Sequence, residues 1–208
     1  MRVGCCPAIA RTGGRSVPDH LLQLQGYDLA VVAGVSGQPV VTAGDEARLW
    51  ELVDAAWAPL GIEVNQVRRE LASRPAGGQV EGLPVLKGTR EAFMDSLTSR
   101  ARELTAEELT ALDRVVERKL YDIDSADLHA VTGGSDDGFL YARGFVVAMG
   151  REFYYAVAAD VQMAVPWAEL EEMCYFFAHL YCERYGSFPD TGSSISRESC
   201  SNPAGWPS

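Results

Sequence analysis

Leu104-Thr105-Ala106-Glu107-Glu108-Leu109-Thr110-Ala111-Leu112-Asp113-Arg114-Val115-Val116-Glu117-Arg118-Lys119-Leu120-Tyr121 is the stretch that decides the fold class. Leu109, Leu112, Val115, Val116 and Leu120 recur at three- and four-residue steps, the period that lays apolar side chains along one stripe of an α-helix. The start is written in as well. The Thr105 hydroxyl can accept from the backbone N–H of Glu108 while the Glu108 carboxylate reaches back to Thr105, a capping box. The same period extends in both directions. Leu49, Leu52, Val53, Ala56 and Trp57 carry a helix from about Asp45 until Pro59 and Gly61 stop it, and a second helix spans Ile62 to Ser73. Arg74-Pro75-Ala76-Gly77-Gly78 then breaks the pattern, so residues 74–88 read as an internal loop. Phe93, Leu97 and Ala101 mark a helix from near Thr89, and a short one covers Ala126 to Val131. After the Gly133-Gly134-Ser135 turn come helices over Asp136 to Met149 and Arg151 to Ala159, then a last one from Trp167 to Tyr185, opened by Pro166 and closed by Gly186.

The expected architecture is therefore mainly α, a compact single-domain helical bundle over residues 44–186. Residues 1–43 mix Gly, Pro and Ser with two apolar runs, Leu29 to Ala33 and Pro39 to Val41, and read either as a short β hairpin or as a disordered extension. Residues 187–208 lose periodicity and form a C-terminal tail. A chain of 208 residues suits one domain with a sizeable core.

Composition narrows the function classes. A formal net charge of −11 and a pI near 4.7 repel phosphate backbones and anionic lipid, which argues against nucleic-acid and membrane partners. No run reaches the roughly 18 apolar residues of a membrane span. The residues after Met1 lack the apolar core of a secretory signal, so the expected location is cytoplasmic. The five cysteines, Cys5, Cys6, Cys174, Cys182 and Cys200, form no CxxC pair and no even framework, which argues against a disulfide scaffold. Arginine supplies nearly all positive charge, Lys87 and Lys119 being the only lysines, a composition typical of GC-rich bacterial genomes.

Three blocks carry a family resemblance: Leu49-Trp50-Glu51-Leu52-Val53-Asp54-Ala55-Ala56, Leu104-Thr105-Ala106-Glu107-Glu108-Leu109, and Gly134-Ser135-Asp136-Asp137-Gly138-Phe139 followed by Tyr141-Ala142-Arg143-Gly144-Phe145 and Gly150-Arg151. Over roughly residues 45–185 the chain resembles the DUF4240 family, a bacterial domain of unknown function. It departs at Leu49, where phenylalanine is commoner, and at Phe145, where tryptophan is commoner. The resemblance implies an architecture and carries no activity or site residues.

Candidate sites rest on the residues alone. Ser135, Asp136 and Asp137 begin a helix, where a serine cap and first-turn carboxylates are ordinary stabilising chemistry. Adjacent carboxylates at a glycine turn can also bind a hard cation or do acid and base work. Arg143, seven residues after Asp136 and so within about 20° of it around a helix, places a guanidinium on the same face, with Arg151 beyond. Glu172, His179 and Glu183 share one stripe of the last helix. HExxH spacing is absent there, and the expectation is no metal and no cofactor. His129 or His179 could serve a cysteine nucleophile, of which Cys200, in a polar tail, is the one expected to be reactive. No phosphate-binding glycine loop or nucleophile elbow is present. The favoured expectation is an adaptor or regulatory module that binds a protein or small molecule through the Ser135-Asp136-Asp137/Arg143 surface; the alternative is a small enzyme with a carboxylate/histidine or Cys200-based site.

Overall fold

A computed structural model describes residues 40–206 of the chain. The hairpin and extension readings of residues 1–43 fall almost wholly outside the described residues. Nine α-helices and no strands occur among the described residues: α1 (Ala43–Trp57), α2 (Ile62–Ser73), α3 (Leu83–Gly88), α4 (Arg90–Ala101), α5 (Ala106–Asp122), α6 (Ala126–Thr132), α7 (Asp136–Ala148), α8 (Arg151–Ala159) and α9 (Glu171–Tyr185). No described helix is long and apolar enough to cross a membrane.

The capping box at Thr105 is present, with Glu108 N donating to Thr105 Oγ1 at 3.2 Å and Thr105 N donating to Glu108 Oε2 at 2.8 Å. A second box, Thr42 with Asp45, opens α1 two residues before the periodic run. Ser135 caps α7 by accepting from Gly138 N at 3.2 Å, and Gly186, in the left-handed region, closes α9.

Two expectations need correction. Residues 74–88 are not all loop, because α3 occupies Leu83–Gly88 and buries Leu86. It is short and contains Pro84 near its start, so it shows no periodicity a sequence window could register. The last helix starts at Glu171, not at Trp167. Pro166 does not open it. Residues 166–170 instead run from the end of α6 to the middle of α7, with Trp167 N donating to Thr132 O and Leu170 N to Tyr141 O.

α5, α7 and α9 form the centre, α9 packing on both of the others. α1 lies on α5 and α4, where Trp57 and Phe93 stack with ring centroids 4.3 Å apart, and α2 lies on α8. Gly144 sets the α7–α9 separation: a Cβ there would stand 2.5 Å from both Cys174 Sγ and the Leu170 carbonyl oxygen.

The aperiodic tail is bound to this bundle by buried charge. Arg197, 8% exposed, makes a two-pronged contact to Asp113 (3.0 and 2.9 Å) and donates to Cys174 O. Asp124, fully buried, accepts from the backbone N–H groups of Cys200, Ser201 and Asn202 and from Trp206 Nε1.

Candidate functional site

The Ser135-Asp136-Asp137 turn and Arg143 do not form one surface. Asp136 and Asp137 are exposed in the first turn of α7, but Arg143 is fully buried. Its Nη1 donates to Leu120 O at 2.8 Å, its Nη2 to Ser199 Oγ at 3.0 Å, and Asp124 lies 4.0 Å away. The seven-residue spacing places Asp136 and Arg143 on one face, but α7 is the central helix, and past its first turn that face looks into the core. The link between the two residues runs through Ser199, whose hydroxyl donates to the backbone carbonyl of Asp136.

The histidines lie apart. His129 is half-buried on α6, its Nε2 3.2 Å from Gly134 O, with its ring against Phe139 and Trp206. His179 is exposed on α9, stacked on Tyr175 and near Phe188. Glu172 and Glu183 share a shallow cleft with it, yet no group of three His, Cys, Asp or Glu side chains among the described residues could hold a metal ion. Arg151 is exposed at the start of α8, its guanidinium 6.0 Å from the Tyr155 ring centroid. Cys200 is exposed at a left-handed φ of 63°. Desolvation, then the charges of Asp136 and Asp124, push its thiol up from the ordinary value, and burial pushes Cys174 up to about 12. Both shifts favour the thiol over the nucleophilic thiolate.

Another cluster sits between α1, α5 and α8. Lys119, 6% exposed, contacts Glu46 Oε2 at 2.8 Å and Tyr155 Oη at 3.3 Å. Burial would raise the Glu46 carboxyl, but hydrogen bonds from Lys119, Tyr155 and Trp50 and the Lys119 charge outweigh it and hold the group at about 2. The adjoining cleft of about 440 Å³ carries Arg118 as well, paired with Asp122 at 2.7 Å, and Arg114, whose Nε donates to the Thr191 carbonyl.

Unmatched charges meet at a different place. Residues 166–170 reach across the bundle between α6 and α9, and Trp167 is held there from both sides: its N–H donates to Thr132 O at 3.1 Å and its carbonyl accepts from Lys87 Nζ at 3.1 Å. Trp167 takes a φ of 58°, which a bulky residue adopts only where its surroundings impose it, and its side chain is 66% exposed. Gly133 makes room for the ring, since a Cβ there would lie 3.0 Å from Trp167 Cζ2, and a Cβ on Gly138 would lie 3.2 Å from Glu169 Oε1. The Gly133-to-Gly138 turn is thus the shoulder of the cleft that Trp167 overhangs.

That cleft has a volume of about 320 Å³, with Trp57, Phe145, Met149 and Leu170 as an apolar floor and Lys87, Arg90, Trp167 and Glu169 at its rim. The side chains of Arg90 and Glu169 are exposed and make no hydrogen bond or ion pair with any described residue, nor with each other. None of the lining residues is a histidine, cysteine or serine.

Sequence reasoning did not single out Lys87, Arg90, Trp167 or Glu169. Two signals were there to be read: Lys87 is one of only two lysines, and Trp167 follows a proline at the foot of a helix, where a large aromatic has no assured partner.

No curated protein and no solved structure matches the chain. Residues 79–186, more than half of its 208 residues and the whole run from α3 to α9, match the family described as "Protein of unknown function (DUF4240)", and the chain belongs to that family.

Proposed function

We propose that the protein is a binding module of the adaptor or regulatory kind whose site is the cleft under Trp167, with the Asp136-Asp137 turn as its shoulder. The observation that carries this reading is Trp167 itself, two-thirds exposed and held at a φ of 58° above an apolar floor. A left-handed non-glycine residue costs on the order of 1–3 kcal/mol, and such strain is concentrated at ligand-contacting positions. A concave apolar site with a few convergent polar groups is the ordinary form of a small-ligand pocket. All the lining residues except Trp57 fall inside the family match.

Binding is favoured over catalysis by the residue types present. The cleft offers two cations, one carboxylate and aromatic surface, no histidine, cysteine or serine, and a Lys87 amine engaged by the Trp167 carbonyl. Cys200, His129 and His179, which a small enzyme would need together, sit on the tail, α6 and α9 respectively.

Titration with 8-anilinonaphthalene-1-sulfonate, an apolar body with one anionic group, tests the cleft. Saturable 1:1 binding is expected, weakened about tenfold or more by Trp167→Ala, equivalent to about 1.4 kcal/mol, and unchanged by Cys200→Ser. Binding that is absent, or indifferent to Trp167→Ala, sinks the reading.

A further inference from the structure

We infer that the ligand of this cleft is a small apolar zwitterion, a free aliphatic or aromatic amino acid, its carboxylate on Arg90 and Lys87, its ammonium on Glu169 and its side chain on the apolar floor. The inference rests on the reading of the Trp167 cleft as the binding site.

Arg90 and Glu169 face a common cleft, carry opposite charge and are paired neither to each other nor to any other described residue. Exposed charges are commonly left to water, and what distinguishes these is that both signs border one apolar cleft. The rim therefore carries a positive and a negative pole on one cleft. Lys87 adds to the positive pole, since it gives Trp167 O one contact at 3.1 Å and keeps further N–H donors.

Each simpler ligand leaves something unsatisfied. A phosphate or plain carboxylate would meet the uncompensated charge of Glu169, and an amine that of Arg90 and Lys87. A neutral apolar molecule would cover both poles and strip them of water without replacing it, which is costly. A zwitterion answers all three charges, and the guanidinium of Arg90 has the planar fork that a carboxylate takes in two parallel hydrogen bonds. A volume of about 320 Å³ stands at the lower end of the range for small-molecule sites, roughly 300–1,000 Å³, so the ligand is of amino-acid size. The apolar floor of Trp57, Phe145, Met149 and Leu170 selects an apolar or aromatic side chain.

The test uses the full chain and calorimetric titration with L-phenylalanine and L-leucine, beside N-acetyl-L-phenylalanine, which lacks the cation, and L-phenylalaninamide, which lacks the anion. The free amino acids are expected to bind at least about tenfold more tightly than either derivative, the scale of one charge-assisted hydrogen bond. Glu169→Gln should abolish the preference over the N-acetyl compound, and Arg90→Gln the preference over the amide. Both positions are exposed, so the variants should melt as the parent does, and the derivative series decides the question in the unaltered protein regardless. Equal binding of parent and derivatives overturns the zwitterion while leaving the cleft as an apolar site. Failure of every amino acid to bind while the anilinonaphthalene probe still binds in a Trp167-dependent way also overturns it. Loss of probe binding as well overturns the cleft itself.

Discussion

Asp124→Asn tests whether the tail is part of the folded domain. The native carboxylate presents two oxygens to five donors: Oδ1 accepts from Cys200 N (3.2 Å) and Trp206 Nε1 (2.9 Å), while Oδ2 accepts from Ser201 N (2.8 Å), Asn202 N (3.0 Å) and Ser201 Oγ (3.4 Å). An asparagine keeps one acceptor oxygen and replaces the other with an NH₂ group, itself a donor. Whichever way the amide turns, at least two N–H groups of the tail face a donor at hydrogen-bond distance. Each orphaned buried donor costs about 1–3 kcal/mol. The substitution also removes the negative charge 4.0 Å from Arg143, whose side chain is fully buried and whose Nε already has no partner among the described residues. Breaking a buried pair by removing one partner costs about 3–5 kcal/mol. These penalties overlap, so the expected loss is about 3–5 kcal/mol, a large part of a typical domain's stability of about 5–15 kcal/mol. Asp136→Asn is the control. That carboxylate is exposed and contributes through the helix dipole alone, worth about 0.3–1 kcal/mol. Urea unfolding of both variants beside the parent reads the difference, with limited proteolysis of residues 187–206 reporting tail release. A cost below about 1 kcal/mol for Asp124→Asn, or equal costs for the two substitutions, would refute the reasoning.

Two further sites, Glu46 and Gly144, probe the bundle. Glu46 titrates in the folded state at about 2, below its ordinary 4.5, so its contribution to stability is complete above about pH 4.5 and disappears as the pH falls toward 2. Glu46→Gln should flatten stability across that window, and an acid-unfolding curve that keeps its full slope there would rule the contribution out. Gly144→Ala should cost about 1–3 kcal/mol despite the better helix propensity of alanine, because the added methyl meets a backbone oxygen that cannot retreat without moving α9. Cys174→Ala in the same chain should recover only part of that loss, since it relieves the sulfur contact and not the Leu170 carbonyl; full recovery in thermal unfolding would place the strain elsewhere.

How much of this was legible in the sequence depended on whether a feature is local. The α5 start at Thr105 and the α7 cap at Ser135 were readable because their hydrogen bonds span three residues. The α1 cap at Thr42 was equally local and went unread because it precedes the periodic run it opens. The fate of Arg143 could not be read. Its helical angle is fixed by sequence, but which side of α7 is interior depends on α5 and the tail, which meet it from 23 and 56 residues away. The same holds for Arg197: a polar, aperiodic segment gives no sign of burial, and only its partner Asp113, 84 residues earlier on α5, supplies the reason. Trp167 was misplaced because its neighbours, from Ala168 onward, join the α9 period without interruption, while the hydrogen bond to Thr132 O that ends this continuity is tertiary.

The first turn of α7 joins the two parts of the molecule that sequence periodicity did not reveal. On one side, Ser199 of the tail donates to the Asp136 carbonyl and receives Arg143; on the other, Gly133 and Gly138 lie against Trp167 and Glu169 of the cleft. Neither glycine could carry a side chain without pressing on a cleft residue, and Gly133 also needs a φ of 72°. The turn therefore has little freedom to shift without carrying the rim of the cleft with it. Releasing the tail frees the Asp136 carbonyl and one arm of Arg143 at the same end of α7. The tail contact and the cleft contact thus bear on the same short turn. The Gly133-to-Gly138 run is accounted for on these grounds as the place where cleft and tail meet, with the carboxylates serving the helix end, Gly133 and Gly138 the cleft contacts and the Asp136 carbonyl the tail.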